Sequence, residues 1–389
     1  MAPDRAIISG LGFVTSIGND RAAVAASLRR LRSGIEWGEF TREFASAGRA
    51  TGICGTIKDF ATASVQRSEW RWPAAYAFSP ELLGHLTPAG LYGVCALKQA
   101  LADAGLAGSE LGDEGTRFYC VSAGVAGLKF ALAACFGVRG PTELFASSGR
   151  ALAAALEEIR SGRRRRIAVV AAQDISGDPL MPCGAISRQS DPARASRPFD
   201  RGSDGLVPTG GAAVLILEAE GDARRRGAGP YAELRGWGGA PADLPGSAAD
   251  AEGAGTAAAM AQALVAAGVE AGELDYVNAH APSNPVQDPA EARALHAVFT
   301  ARGAQPAVSS TKALTGHGRA MAATMEMAFC ALALKEGFVP GAANLDNPHP
   351  ACDGLNLPRA TQERRLRFVL KNCRDPGGGH VSLVLGRAR

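Results

Sequence analysis

Lysine is scarce in this chain of 389 residues, where only six of the 41 basic side chains are lysines, so Lys312 is a rare residue type wherever it lies. Aromatic residues are also few, at 6%. The eight cysteines, at 54, 95, 120, 135, 183, 330, 352 and 373, form no CxxC pair. That spacing excludes a zinc knuckle and gives no disulfide framework, leaving reduced, partly buried thiols. No aromatic-basic interleaving and no recognition-helix pattern occurs, which argues against nucleic acid. No uncharged stretch is long enough for a membrane span. The start runs almost directly into Ala6-Ile7-Ile8-Ser9-Gly10 without a charged region and long apolar core, so no signal peptide is expected and the protein is read as cytoplasmic. The glycine-containing segment Leu11 to Gly18 matches neither GxGxxG nor GxxxxGK[ST], and no cofactor is expected there.

What is present is the composition of a packed globule: 47% hydrophobic, 20% charged, a formal charge of +3 and 48 glycines. Length alone permits one domain or two fused halves. The single basic run, Arg163 to Arg166, reads as a solvated helix-to-strand corner or a contact for an acidic protein.

The pattern alternates strand and helix. Strands are expected at 6–10, 117–121, 167–172, 212–218 and 231–234, with a turn from Leu11 to Gly18 and helices at about 20–31, 87–104 and 150–160. A glycine-, proline- and aspartate-rich stretch at 238–255 reads as a loop between halves, dividing the chain into 1–237 and 238–389. Beyond it come helix 256–267, strand 276–279, helix 289–299, strand 307–309, helix 320–334 and two short apolar runs at 366–370 and 381–385. Alternation in both halves implies stacked α/β layers.

Three polar residues stand where chemistry could sit: His280 after Tyr276-Val277-Asn278-Ala279, His317 in Thr315-Gly316-His317-Gly318, and Lys312 after Ser309-Ser310-Thr311. Each follows a strand-like segment or lies in a glycine-bearing turn, where a scaffold can aim a side chain into a cleft. Two imidazoles can donate to an oxygen that gains negative charge, or exchange a proton, and an ammonium favours the same charge. The plain alternative is a hydrogen-bonded structural histidine. Zinc lacks a third ligand, so no metal is expected. His380, after three glycines, is the least plain of the remaining histidines.

Several landmarks occur in order: Arg197-Pro198-Phe199-Asp200, Asp204-Gly205-Leu206-Val207, Asn278-Ala279-His280, Ser310 to His317, Pro340 to Pro348, and Asn372 to Leu383. Together they resemble the β-ketoacyl-[acyl carrier protein] synthases, the condensing enzymes of the thiolase fold. The resemblance implies two similar halves in a five-layer α-β-α-β-α core, commonly dimeric. It implies a cysteine at a strand-to-helix elbow that takes the acyl chain, two histidines that promote decarboxylation of a malonyl-carrier substrate, and a lysine in a network with a glutamate. His280, His317, Lys312 and Glu291 fall on the last four positions.

The cysteine has no counterpart. Aligning the elbow with Phe145-Ala146-Ser147-Ser148 puts Phe145 at the nucleophile position, and a phenyl ring cannot form a thioester. The connection from Gly140-Pro141 is shorter than usual, so a slip placing Ser147 or Ser148 at the apex stays open, and Cys135 lies upstream of it. Arg150 stands where a histidine is common. The threonines that hold the pantetheine arm correspond to Pro282 and Asn284, the family's glutamate after Asp204 to Gly210, and the phenylalanine gate to Arg374-Asp375-Pro376. The resemblance therefore implies a non-elongating partner like a chain-length factor, paired with a cysteine-containing ketosynthase and serving an acyl carrier protein. A homodimer, and a decarboxylase or acyltransferase working without a cysteine, are the alternatives.

Overall fold

The computed structural model describes residues 4–38, 52–64, 66–121, 126–138, 142–174, 186–242, 251–375 and 377–388. Ten strands carry the fold: β1 Ala6–Val14, β2 Thr116–Val121, β3 Thr142–Phe145, β4 Arg166–Gln173 and β5 Gly211–Ala219, then β6 Ala232–Ala240, β7 Tyr276–Asn278, β8 Ala307–Ser309, β9 Phe368–Arg374 and β10 His380–Gly386. The helices that cover them are α1 Arg21–Arg30, α2 Pro88–Ala104, α3 Ala126–Phe136, α4 Ser148–Arg160, α5 Ala254–Ala267, α6 Gln287–Val298 and α7 Ala322–Glu336.

The strands hydrogen-bond in the order β8-β7-β9-β10-β6-β1-β5-β4-β2-β3. Reading outward from the centre, the first half runs 1-5-4-2-3 and the second 6-10-9-7-8, so each strand has a counterpart five places on. The directions repeat as well. β2 is parallel to β3 and β4, and β5 is antiparallel to β4 and β1. Likewise β7 is parallel to β8 and β9, and β10 is antiparallel to β9 and β6. The halves join where β1 pairs antiparallel with β6, Ala6 opposite Leu234. We place the junction between β5 and β6, ahead of the 237/238 division, which would cut through β6. Strand pairing, not loop composition, marks the boundary.

Side-chain alternation builds the layers. Ile167, Val169 and Ala171 of β4 face one core while Ala168, Val170 and Ala172 face another, and β5 repeats this with Leu215 and Leu217 against Val214 and Ile216. The first core is central and holds α4 and α7; the second lies under α2 and α3; a third lies under α5 and α6. The architecture is thus the five-layer α-β-α-β-α sandwich of the thiolase fold. α7 is buried from Ala322 to Leu334, as a helix between two sheets must be. Phe329 of α7 stacks on Phe13 of β1 with ring centroids 6.0 Å apart.

One local expectation is corrected. The glycines at 10 and 12 do not open a turn, because β1 continues through them to Val14. They let α2 lie directly on the strand: a β-carbon at either position would overlap the carbonyl oxygen of Ala100 or Ala96. Among the described residues no helix is long and apolar enough to cross a membrane.

Candidate active site

His280 leaves the end of β7 and His317 follows the helical turn Lys312–Thr315, 37 positions later, yet their ring centroids lie 5.3 Å apart at 83°. Parallel pairing of β7 and β8 puts both strand ends at one edge, which is how separated segments converge. Each ring is oriented by a main-chain donor. The Arg374 N–H points to His280 Nδ1 at 3.4 Å and the Arg319 N–H to His317 Nδ1 at 2.8 Å. A nitrogen that accepts carries no proton, so both neutral rings hold theirs at Nε2 and offer it as a donor. Burial, reinforced by the Lys312 ammonium, holds His280 well below the usual imidazole range and His317 at about 3. The pair therefore stays neutral near pH 7 and is suited to hydrogen-bonding an oxyanion more than to carrying charge.

Lys312, 1% exposed, begins that helical turn and donates to Glu326 Oε1 of α7 at 2.6 Å. Glu326 is fully buried, and its other oxygen forms an ion pair of 2.8 Å with Lys371 of β9. Burial opposes the carboxylate charge, but the two ammonium groups outweigh it and hold Glu326 below its ordinary range. This corrects the expectation that Glu291 partners the lysine. Glu291 instead accepts the main-chain N–H groups of His280 at 2.8 Å and Ala281 at 2.6 Å, and the Asn372 side chain at 2.6 Å. It supports the loop that bears His280 from behind. Glu326 and Lys371 escaped the sequence reading although a signal existed: each is a lone charge inside a segment otherwise patterned for complete burial.

The elbow is a different environment. Phe145 ends β3, half-buried, with its ring 4.8 Å from that of Tyr119. Ser147 caps α4, bonds through Oγ to Asp375 and is 5% exposed. Asp375 also accepts from Arg150 Nε at 2.7 Å. Ser148 donates to the Ala320 carbonyl at 2.6 Å and accepts the Thr324 N–H at 3.2 Å, joining the starts of α4 and α7. Both serine hydroxyls are thus engaged. Cys135 packs among the residues under α2 and α3, its thiol pushed up by burial. Cys373 comes close beneath α4, opposite Gly149, but donates to the Val381 carbonyl at 3.0 Å, and burial pushes its thiol up to about 12. Neither is an activated thiolate.

Of the expected gate, Arg374 and Asp375 make the contacts just described, and Pro376 lies outside the described residues. Pro282 is buried, and the Asn284 side chain accepts from the main chain of Val286 and Gln287 at the start of α6. Gly210 lines a cavity of about 440 Å³ with Phe60, Tyr92 and Asp174, whose lining includes neither imidazole. His380 is a β10 residue bonded to Thr256. The basic run is partly paired in place: Arg163 and Arg164 share Glu158, Arg165 reaches Asp113, and buried Arg166 reaches Glu218. Among the described residues no group of three metal-ligating side chains occurs.

Comparison with known proteins agrees with this geometry. The family model described as beta-ketoacyl synthase, N-terminal domain, matches residues 120–223, and that of the C-terminal domain matches 231–346. The 3-oxoacyl-[acyl-carrier-protein] synthase 1 of Escherichia coli is 30% identical over 99% of both chains. A polyketide synthase ketoacyl synthase alpha subunit for tetracenomycin, from Streptomyces glaucescens, is 35% identical over 60% of this chain and 56% of its own. The solved beta-ketoacyl synthase of Burkholderia phymatum superposes with a TM-score of 0.86 at 26% identity, covering 99% of this chain and 100% of its own. With the duplicated sheet and the converged histidines already in place, an end-to-end match of this kind means that the chain belongs to the β-ketoacyl synthase family.

Proposed function

We propose that this protein is a non-elongating, chain-length-factor-like subunit that pairs with a cysteine-containing β-ketoacyl synthase in type II polyketide, aryl-polyene or fatty-acid-like biosynthesis. The observation that carries the reading is the elbow: a phenyl ring ends the strand, both following hydroxyls are bonded, and Cys373 close beneath is a protonated donor. Elongation needs a group that can accept an acyl chain covalently, and a hydrocarbon ring adds apolar contact instead. The scaffold suits pairing. Among the described residues β3 is the last strand of its sheet, with Leu144 69% exposed, an edge that an added strand would cover. The fold is also that of a chain described as the ishigamide ketosynthase/chain length factor, at TM-score 0.84 and 24% identity. Acyl carrier protein would reach the complex directly or through the partner.

Co-expression with a cysteine-containing ketosynthase is expected to give a 1:1 complex by native mass measurement, and the chain alone is expected to leave acyl substrates unextended. A homodimer that elongates unaided overturns the proposal.

The His280 and His317 donor pair favours a second reading, decarboxylation of malonyl-carrier protein or acyl transfer without a cysteine. Enolate formation needs oxyanion stabilisation more than a covalent acceptor. Carbon dioxide release from malonyl-carrier protein, lost in His280→Ala and His317→Ala, would support it; no release by wild-type protein rejects it.

A further inference from the structure

Two of the six lysines share one buried carboxylate, and the reading above uses only one of them. Lys371 sits in β9, 0% exposed, where the strand is buried from Val369 to Cys373. Its Nζ lies 2.8 Å from Glu326 Oε2, 3.1 Å from the Ala279 carbonyl and 3.4 Å from that of Asn278. It donates to the two carbonyls and meets the carboxylate as a close ion pair, and with no donor among these neighbours the place suits an ammonium. The two carbonyls belong to the residues immediately before His280. β9 supplies a second tether to the same imidazole, since Arg374, three positions on, donates its N–H to His280 Nδ1.

We propose that Lys371 is a positioning residue for the imidazole pair: its ammonium ties the end of β7, from which His280 projects, to Glu326 and gives that carboxylate a second cation. The inference rests on the His280 and His317 donor pair, not on the identity of a partner or substrate. While Glu291 of α6 lies behind His280 on its main chain, the two ammonium groups, Lys312 and Lys371, outnumber the one carboxylate between them. A buried charge of that kind is expensive unless something uses it. Here it disfavours protonation of both rings, keeps their Nε2–H groups as neutral donors, and adds to the attraction for an anion forming between them. The charged and titratable groups that bear on the rings are Lys312 from the helical turn after β8, Glu326 from α7, Lys371 and Arg374 from β9, Arg319 beside His317, Glu291 of α6 behind the His280 main chain, and His317 on His280. Lys371 combines a field on both rings with a tether made by its side chain.

The test is histidine titration by NMR in full-length protein carrying 13C-labelled histidine, alone or in the assembly in which it purifies. His280→Gln and His317→Gln assign the two signals. Lys371→Gln keeps an N–H donor for the Ala279 carbonyl but removes the charge, whereas Lys371→Met removes both and Lys371→Arg keeps both. In Lys371→Gln both titration midpoints are expected to move up by roughly half a pH unit or more, and Lys371→Arg restores them. Lys371→Met is expected to add a change in the His280 chemical shift at pH 8, where no ring titrates. A folded Lys371→Gln protein with wild-type midpoints overturns the charge role, and a Lys371→Met protein with an unchanged His280 signal overturns the tether. If Lys371→Met fails to fold, Lys371→Gln decides the charge role by its midpoints, and Lys371→Ala, which also removes the donor, takes the place of Lys371→Met in reading the tether through the His280 signal. These readouts need neither carbon dioxide release nor a partner, so they stand or fall apart from the proposed function.

Discussion

The turn from β3 into α4 and the turn after β8 are counterparts in the duplicated fold, and they have opposite characters. The first presents Phe145 and two engaged serines, latched by Asp375 and Arg150. The second presents Lys312, backed by Glu326 and Lys371 and facing two neutral imidazoles. One scaffold thus holds an elbow that presents a phenyl ring and two bonded hydroxyls, and a second turn whose neutral imidazoles suit an oxyanion. The contrast teaches that the imidazole pair and its lysine network assemble from the second half with Phe145 at the first half's elbow.

The contrast breaks most decisively through covalent labelling. Wild-type protein incubated with acyl-carrier thioester is expected to show no acyl adduct on residues 145–148 by mass spectrometry, whereas Phe145→Cys is expected to be alkylated by iodoacetamide at that position, the start of α4 favouring a thiolate. An acyl group on Ser147 or Ser148 of the wild-type chain would erase the distinction between the two turns. Next in size is Glu326→Gln, which strands two buried ammonium groups. A loss of about 3–5 kcal/mol is expected in denaturant unfolding, and a loss below about 1 kcal/mol would show that the charges are not buried as a unit.

Acid sharpens the second turn further. An imidazole with its midpoint at about 3 in the folded protein and 6.5 as its ordinary value binds protons more readily in the unfolded chain. Stability contributed by His317 is therefore present above about pH 6.5 and is lost as pH falls towards 3. By pH 5 the loss is on the order of 1–2 kcal/mol, and His317→Gln should flatten that part of the stability curve. At the first turn the effects are smaller. Ser147→Ala removes the helix cap and the Asp375 bond, for about 1 kcal/mol. Arg150→Ala removes the exposed partner of an ion pair and leaves Asp375 its Ser147 bond, for less than about 1 kcal/mol. If Arg150→Ala outweighed Glu326→Gln, the contrast in buried charge between the two turns would be reversed.

Much of the fold was legible because burial on both faces leaves a plain trace. The valine-rich run 167–172 and the run 212–218 became β4 and β5, each longer by a residue or two at its ends. Glycines 10 and 12 misled because the same residue serves a tight turn and a close helix approach, and only the position of α2 tells them apart. The resemblance puts Glu291 on the position of the family's glutamate beside the lysine. The companion is Glu326, fourteen positions after Lys312 and on the helix between the sheets. Linear spacing does not report which side of a strand end a helix will cover.

Taken alone, the order of residues determined that the chain repeats strand-helix layers, that no thiol stands at the elbow position, and that His280, His317 and Lys312 occupy turns able to present them. Those properties are local: hydrophobic period, residue type and turn chemistry reside within a few positions of one another. Tertiary structure alone decided that the imidazoles lie 5.3 Å apart, that Lys371 shares Glu326 with Lys312, and that Asp375 fastens the elbow. Those depend on parallel pairing of β7, β8 and β9 and on the depth of α7, long-range contacts that set burial, and burial is what turns an ordinary charge into part of a site.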